Sequence, residues 1–437
     1  ETRRLMSEKE YPTTLTLLSR IEYSPLDSRE RQEADYIRAV ATFETNSLDG
    51  RALMLQYLTD YPESAKRPIL SAYIAESYYY SRNFTQAYDW FKSADLERLE
   101  AKENERIRLH YALTAQEVGD TEISLNILNG IKATGKYYRS DAIFHIAAID
   151  YYNERLDPAY EGFKSIEMDD KYYLEVPYYL AGIYLKRGEN VRAEKLARLF
   201  LEYNSALKQG TPMRHILGAA LYGQRRYAEA VAPLGEYMQL CDEPQRIASY
   251  QLAMSLFNTG KYNEGTPYFD QCTNADDAIT QNSYLHLGII ALKLNDTAKA
   301  RLAFEQAAAM NHDSKIREEA LYNYALCIHQ TRYSPFAESV KVFERFLNEY
   351  PQSPHVSKVE DYLVEVYMNT RNYDTALQSI EKIEHPSAEI LGAKQNILYR
   401  LGVQSFIDNN MRASIDYMNR SLSLSRYSRP THSDALY

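Results

Sequence analysis

Any chemistry in this chain would fall to its nine histidines, three cysteines and sixty carboxylates. The histidines (His110, His145, His215, His286, His312, His329, His355, His385 and His432) are scattered. No two of them have the i,i+4 spacing that puts two metal ligands on one helix. Cys241, Cys272 and Cys327 cannot make a disulfide framework, and no CxxC occurs. They read as small hydrophobes on amphipathic helices. The carboxylates are evenly spread, so no acid/base pair stands out. HExxH, GxSxG, GxGxxG and GxxxxGK[ST] are all missing. These residues therefore point to no catalytic role, no metal and no cofactor, and the chain is expected not to be an enzyme.

The composition narrows the classes further. An apolar content of 45% with a net charge of −10 over 437 residues is not that of a disordered chain. Sixteen Gly and fifteen Pro are too few for the tight turns of sandwiches and barrels. No apolar run approaches the length of a membrane-spanning helix. A pI near 5.5 without a basic block argues against nucleic acid as the main partner. Tyrosine is the outlier: the chain has forty, roughly three times ordinary usage.

The elements that carry those tyrosines repeat. YYYSRNFTQAYDWFKSA at Tyr78–Ala94 aligns with YMNTRNYDTALQSIEKI at Tyr367–Ile383, and YLTDYPES at Tyr57–Ser64 with FLNEYPQS at Phe346–Ser353. Both pairs share one offset. A small residue recurs along the chain at Ala87, Ser124, Ala159, Ala193, Ala230, Gly265, Ala300, Ser339, Ala376 and Ser414. A second small residue sits twelve earlier at Ala75, Ala112, Ala147, Ala181, Gly218, Ala253, Gly288 and Gly402. Ala325 lies fourteen before Ser339, which puts about two extra residues in the loop at 333–337. A large apolar residue often follows at +4: Phe91, Leu128, Phe163, Leu234, Phe269, Phe304 and Phe343. Helix axes approach to about 8–10 Å only where the side chains between them are short. Turn residues fall between the two helices of each pair, at Gly119-Asp120, Gly188-Glu189, Gly260-Lys261 and Asn295-Asp296.

This pattern resembles the tetratricopeptide repeat, in which two antiparallel helices recur every 34 residues or so. The resemblance implies an all-α fold: a right-handed superhelical α-solenoid of about 11 or 12 helix-turn-helix repeats. It is expected to run continuously over residues 1–425, with a truncated first repeat, and to end in a polar tail or linker at 426–437. The aromatic-Leu-x-x-Tyr-Pro-x-Ser stretches are also similar to repeats of bacterial envelope proteins, namely the lipoprotein of the outer-membrane barrel-assembly machinery and the periplasmic cell-division coordinator. That likeness covers two repeats and implies a periplasmic or outer-membrane-associated location, with a cytoplasmic one left open. A start at Glu1 without a signal segment reads as a processed or cut piece, which leaves room for a lipid anchor upstream.

In this family the first helix of each pair lines the concave side. Counting back from the packing residues, the wall is expected to present Tyr79, Tyr80, Phe144, Tyr151, Tyr152, Tyr178, His215, Tyr222, Tyr250, Phe257, Tyr322 and His329. Tyrosine offers a large contact area and a polar tip with few rotamers to freeze, so such a wall suits a peptide or protein partner. The family's clamp for C-terminal carboxylates, Lys and Asn on the first helices, is replaced by Ala72 and Glu76, Leu109 and Leu113, Phe144 and Ala148, Tyr250 and Met254, and Asp361 and Glu365. Three readings follow. The first is a non-enzymatic scaffold holding a peptide or protein segment in a Tyr-rich groove. The second is the helical, non-catalytic part of an envelope enzyme handling cell wall or glycan. The third is a structural element that self-associates through uncapped ends.

Overall fold

The structure is a computed structural model. It describes residues 1–21, 26–97, 99–330, 336–424 and 426–436. Among the described residues every regular element is helical. The helices group into two compact units, Glu1–Tyr203 and Asn204–Tyr437.

The first unit runs through α1 (Thr2–Ser7), α2 (Tyr11–Ser19), α3 (Ser28–Thr45), α4 (Ser47–Asp60), α5 (Arg67–Tyr80) and α6 (Phe84–Lys92). It continues with α7 (Ala101–Glu117), α8 (Thr121–Thr134), α9 (Arg139–Tyr152), α10 (Leu156–Ser165), α11 (Val176–Lys186) and α12 (Asn190–Asn204). The second unit holds α13 (Gly210–Gly223), α14 (Tyr227–Leu240), α15 (Arg246–Asn258), α16 (Tyr262–Asp270), α17 (Ala278–Lys293), α18 (Thr297–Ala309) and α19 (Ser314–Gln330). It ends with α20 (Phe336–Glu349), α21 (Val356–Asn369), α22 (Tyr373–Ile380), α23 (Ala388–Ile407), α24 (Met411–Ser423) and α25 (Arg429–Leu436). Within each unit consecutive helices pack on one another, so the architecture is that of an α-solenoid assembled hairpin by hairpin.

The periodic small residues are the contact points. All ten of the first series, from Ala87 to Ser414, are buried, and so are the eight that precede them by twelve. The glycines show why. A Cβ on Gly218 would lie 2.4 Å from Leu234 Cγ, and one on Gly288 would lie 2.6 Å from Phe304. The large apolar residue at +4 thus presses directly onto the bare backbone of the facing helix. Elsewhere an alanine takes that place.

Nine of the turns inside the hairpins share one device, a residue in the left-handed region: Lys9, Arg82, Gly119, Glu154, Gly188, Arg225, Gly260, Asn295 and Asn409. The next N–H then reaches back five residues, as from Asp120 to the Ala115 carbonyl (2.8 Å) and from Glu189 to that of Tyr184 (2.8 Å). This closes the first helix and satisfies its last carbonyls. The α3–α4 turn at Asn46 and the α21–α22 turn at Thr370 are extended instead. Side chains of Asn83, Asp120, Asp296, Asn372 and Asn410 then cap the second helix.

Two expectations meet the coordinates differently. The insertion expected at 333–337 falls largely outside the described residues. The segment expected as a polar tail at 426–437 is helical over Arg429–Leu436. The fully buried Gln395 of α23 is the cause. Its amide donates to the Ser428 carbonyl (2.9 Å), and its carbonyl accepts from the Ser428 N–H (2.8 Å). A polar composition hid a segment that is held by one buried amide.

Candidate functional site

On each repeat the first helix carries the predicted aromatic wall, but the wall serves two purposes. In the first unit, Tyr79 of α5 stacks on His110 of α7, with ring centroids 4.3 Å apart and planes at 14°. Phe144 of α9 is buried, stacked on Tyr172 at 4.4 Å. Tyr151 is also buried and meets Tyr179 of α11 edge-on at 5.5 Å. Tyr178 is half-buried against Tyr179. Only Tyr80 and Tyr152 stand well into solvent, at 49% and 68% exposure.

The second unit repeats the theme. His215 stacks on Tyr237 at 4.8 Å. Tyr250 hydrogen-bonds Tyr222 across the neighbouring first helices. Phe257 meets His286 edge-on at 4.7 Å. Tyr322 is buried and stacked on His355 at 4.0 Å, and His329 leans on Tyr362 at 4.6 Å. Apart from His215, which stacks within its own hairpin, these first-helix aromatics mostly rest on a ring about one repeat later. Such ring pairs contribute about 0.5–1.5 kcal/mol each beyond their area. Phe144, Tyr151 and Tyr322 accordingly work as core, and the half-buried members present only an edge.

The structure also assembles groups that the repeat spacing did not single out. Glu76 of α5 is fully buried. Its carboxylate accepts from Arg106 Nη2 (2.8 Å) and pairs with His110 Nδ1 (2.6 Å), both on α7. Glu103 takes a hydrogen bond from Tyr73, and burial pushes its carboxyl up. Burial does the same to Glu44 on α3, with Glu103 adding to it. Glu76 stands at a clamp position of the sequence, and the signal that could have found its partner was an arginine thirty residues on.

Beside this network lies a cavity of about 530 Å³ on the first-helix face of the first unit. Tyr79, Tyr80, Leu113, Gln116, Glu117 and His145 line it, with Arg82 and Phe84 at its edge. Burial pushes the His145 imidazole down to about 4, so it is neutral in the physiological range. Burial and then Glu76 push the Tyr80 phenol up to about 12, so it stays a hydrogen-bond donor. The site thus offers the Tyr79 and Tyr80 rings, the apolar Leu113 and the Gln116 amide.

Two of the three cysteines fit the small-hydrophobe reading, while Cys241 is half-buried at the C-cap of α14. Cys272 lies just past α16 and not on a helix. Cys272 and Cys327 are buried, and burial raises both thiols to about 11. No group of three or more His, Cys, Asp or Glu that could hold a metal occurs among the described residues. No described helix is long and apolar enough to cross a membrane. A separate apolar patch stands at the α23–α24 turn, where Phe406, Ile407, Met411 and Ile415 are exposed.

The sequence profile of the Tetratricopeptide repeat family matches residues 248–278 and 281–313, which are the α15–α16 and α17–α18 hairpins with their flanks. Among solved structures, a tetratricopeptide repeat protein from Parabacteroides merdae is 15% identical. It covers 60% of this chain and 99% of its own, with a TM-score of 0.40. The C-terminal part of a TPR repeat-containing protein from Cytophaga hutchinsonii is 12% identical, covering 57% and 98%, with a TM-score of 0.42. No curated protein sequence matches this chain.

Proposed function

This chain carries tetratricopeptide repeats, the units of a protein-interaction scaffold, and from that premise we propose that it is a non-enzymatic adaptor. Its docking site is the first-helix face of the first unit, which receives a peptide or protein segment. One observation supports this reading above the others. The cavity lined by Tyr80, Leu113 and Gln116 is the place where the aromatic wall leaves a half-exposed ring beside open space. Interface energy concentrates in such anchors, with about 2 kcal/mol or more lost on truncating the best of them.

The test is site-specific photocrosslinking in the source cells. A crosslinker at position 80 should trap a defined protein, whereas one at the exposed Leu302 of α18 should not. Tyr80→Ala should weaken the captured partner's binding at least tenfold while leaving the helical content unchanged. Equal trapping at both positions, or unaltered binding by Tyr80→Ala, would overturn the assignment.

The envelope setting rests on the two aromatic-Leu-x-x-Tyr-Pro-x-Ser stretches alone. Fractionation that recovers the chain with cytoplasmic markers would remove it. A second reading, self-association, has its own support in the exposed Phe406, Ile407, Met411 and Ile415. Sedimentation velocity over a concentration series, repeated on Phe406→Glu, separates the two.

A further inference from the structure

The two aligned stretches allow each residue of one hairpin environment to be set against its counterpart in the other, from Pro62 onto Pro351. In that register Leu55 of α4 corresponds to Glu344 of α20, Trp90 of α6 to Ser379 of α22, and Tyr78 of α5 to Tyr367 of α21. Leu55, Trp90 and Tyr78 pack on one apolar cluster. The later copy puts polar groups in the same places and buries them more deeply. Glu344 is 7% exposed, Ser379 5% and Tyr367 0%. The Ser379 hydroxyl donates to a Glu344 carboxyl oxygen. The Tyr367 and Ser379 hydroxyls bond each other at 2.6 Å. Three helices are thus tied by one chain of polar atoms where the first copy has apolar packing and the Arg51 guanidinium over the Tyr78 ring (4.2 Å).

The charged groups around Glu344 do not neutralise it directly. Lys341 on its own helix and Lys382 just beyond α22 attract the carboxylate without forming an ion pair with it. From α21 the facing group is the Tyr367 phenol, which burial holds well above its ordinary value. From α19, Arg317 is bound to Glu349 (2.9 Å), and His329 lies against Phe343 and near Glu365. Burial of the carboxyl outweighs both lysines and pushes Glu344 up to about 7.

We propose that Glu344, Ser379 and Tyr367 form a proton-operated latch between α20, α21 and α22, closed when Glu344 is neutral and loosened when it ionises. The sign follows from linkage. The folded carboxyl keeps its proton to higher pH than the unfolded one, so the latch is strongest below the ordinary carboxylate range. It weakens as pH rises through the folded value and is fully weakened above it. A carboxyl raised from 4.5 to about 7 weakens the closed state by a factor on the order of a hundred.

Hydrogen exchange of the full chain at pH 5.5 and pH 8, corrected for intrinsic rates, tests this. Peptides over 373–383 should show protection falling about thirtyfold between these two pH values in the native chain. Peptides over 84–94, the apolar counterpart, should not respond. Glu344→Gln should abolish the pH response at 373–383. Glu344→Leu, which installs the first copy's residue, should abolish it too and covers the case in which the glutamine variant does not fold. A native chain with no pH response there, or variants that keep the response, would overturn the latch.

Discussion

Residues 57–94 and 346–383 share a motif, and a comparison of the two shows what a repeat specifies and what it leaves free. Their junction turns and helix caps agree, but the turn inside the hairpin does not. Arg82 is left-handed and Asn83 N–H reaches back to the Tyr78 carbonyl (2.9 Å), whereas Thr370 is extended and Asn372 N–H donates to the Thr370 hydroxyl (3.1 Å). Ser64 N–H donates to the Tyr61 carbonyl at 3.1 Å, and Ser353 N–H to that of Tyr350 at 3.0 Å. Each serine hydroxyl then accepts the N–H two residues on, from Lys66 and from His355, both at 3.2 Å. Asn83 and Asn372 cap the second helix in the same manner. The side-chain environments diverge. Glu76 is buried between Arg106 and His110, whereas its counterpart Glu365 is 62% exposed with His329 at 4.0 Å. Tyr61 donates to Asp35 at 2.9 Å, whereas Tyr350 leans on Phe346. The motif fixes the junction turn and the cap, and the neighbouring repeat decides what each surface position means.

The comparison can be broken most sharply at the paired glutamates. Glu76→Ala leaves Arg106 without its buried partner and should cost about 3–5 kcal/mol. Glu365→Ala should change stability by no more than about 0.5 kcal/mol. Urea midpoints of the two variants read this directly, and similar shifts would mean that the two sites are not different in kind.

A smaller effect is expected where Gly50 of α4 corresponds to Ser339 of α20. A Cβ at Gly50 would fall 2.2 Å from the Phe43 backbone. Gly50→Ser should therefore destabilise by about 1–3 kcal/mol through overpacking. The reverse change, Ser339→Gly, should cost only about 0.5–1 kcal/mol from helix entropy. Thermal unfolding of both variants gives the ratio. The most even effect belongs to the caps. Asn83→Ala and Asn372→Ala should each cost about 1 kcal/mol, and a clear inequality would show that the shared frame is less alike than its hydrogen bonds.

Much of the fold was legible from residue types. Small residues at a steady interval, a large apolar partner at +4 and glycines between helices define the hairpins, because each of these is needed locally. The turns at Gly119, Gly188, Gly260 and Asn295 were readable, since these residue types accept a left-handed backbone. Those at Lys9, Arg82, Glu154 and Arg225 were not, because the Schellman closure imposes that conformation on residues with no preference for it. The candidate site was legible only in outline. Tyr79, Tyr80, Tyr151 and Tyr152 lie on first helices as expected, yet Tyr80 and Tyr152 are open while Tyr151 is buried and Tyr79 is stacked. Adjacent residues on a helix point about 100° apart, so a shift of one position moves a ring from solvent to the next repeat.

The amino-acid sequence by itself determined that this chain is helical, that its helices pair, and that each pair packs on the next. Those features depend on local backbone preferences and on close approach at small side chains, both written in residue type and interval. Tertiary structure alone decided which aromatics became stacking contacts and which stayed open. It also decided that Glu76 would meet a cation and Glu344 only hydroxyls. The fate of a ring or a charge depends on the groups that a neighbouring helix brings within a few ångströms, and those groups lie about thirty residues away along the chain.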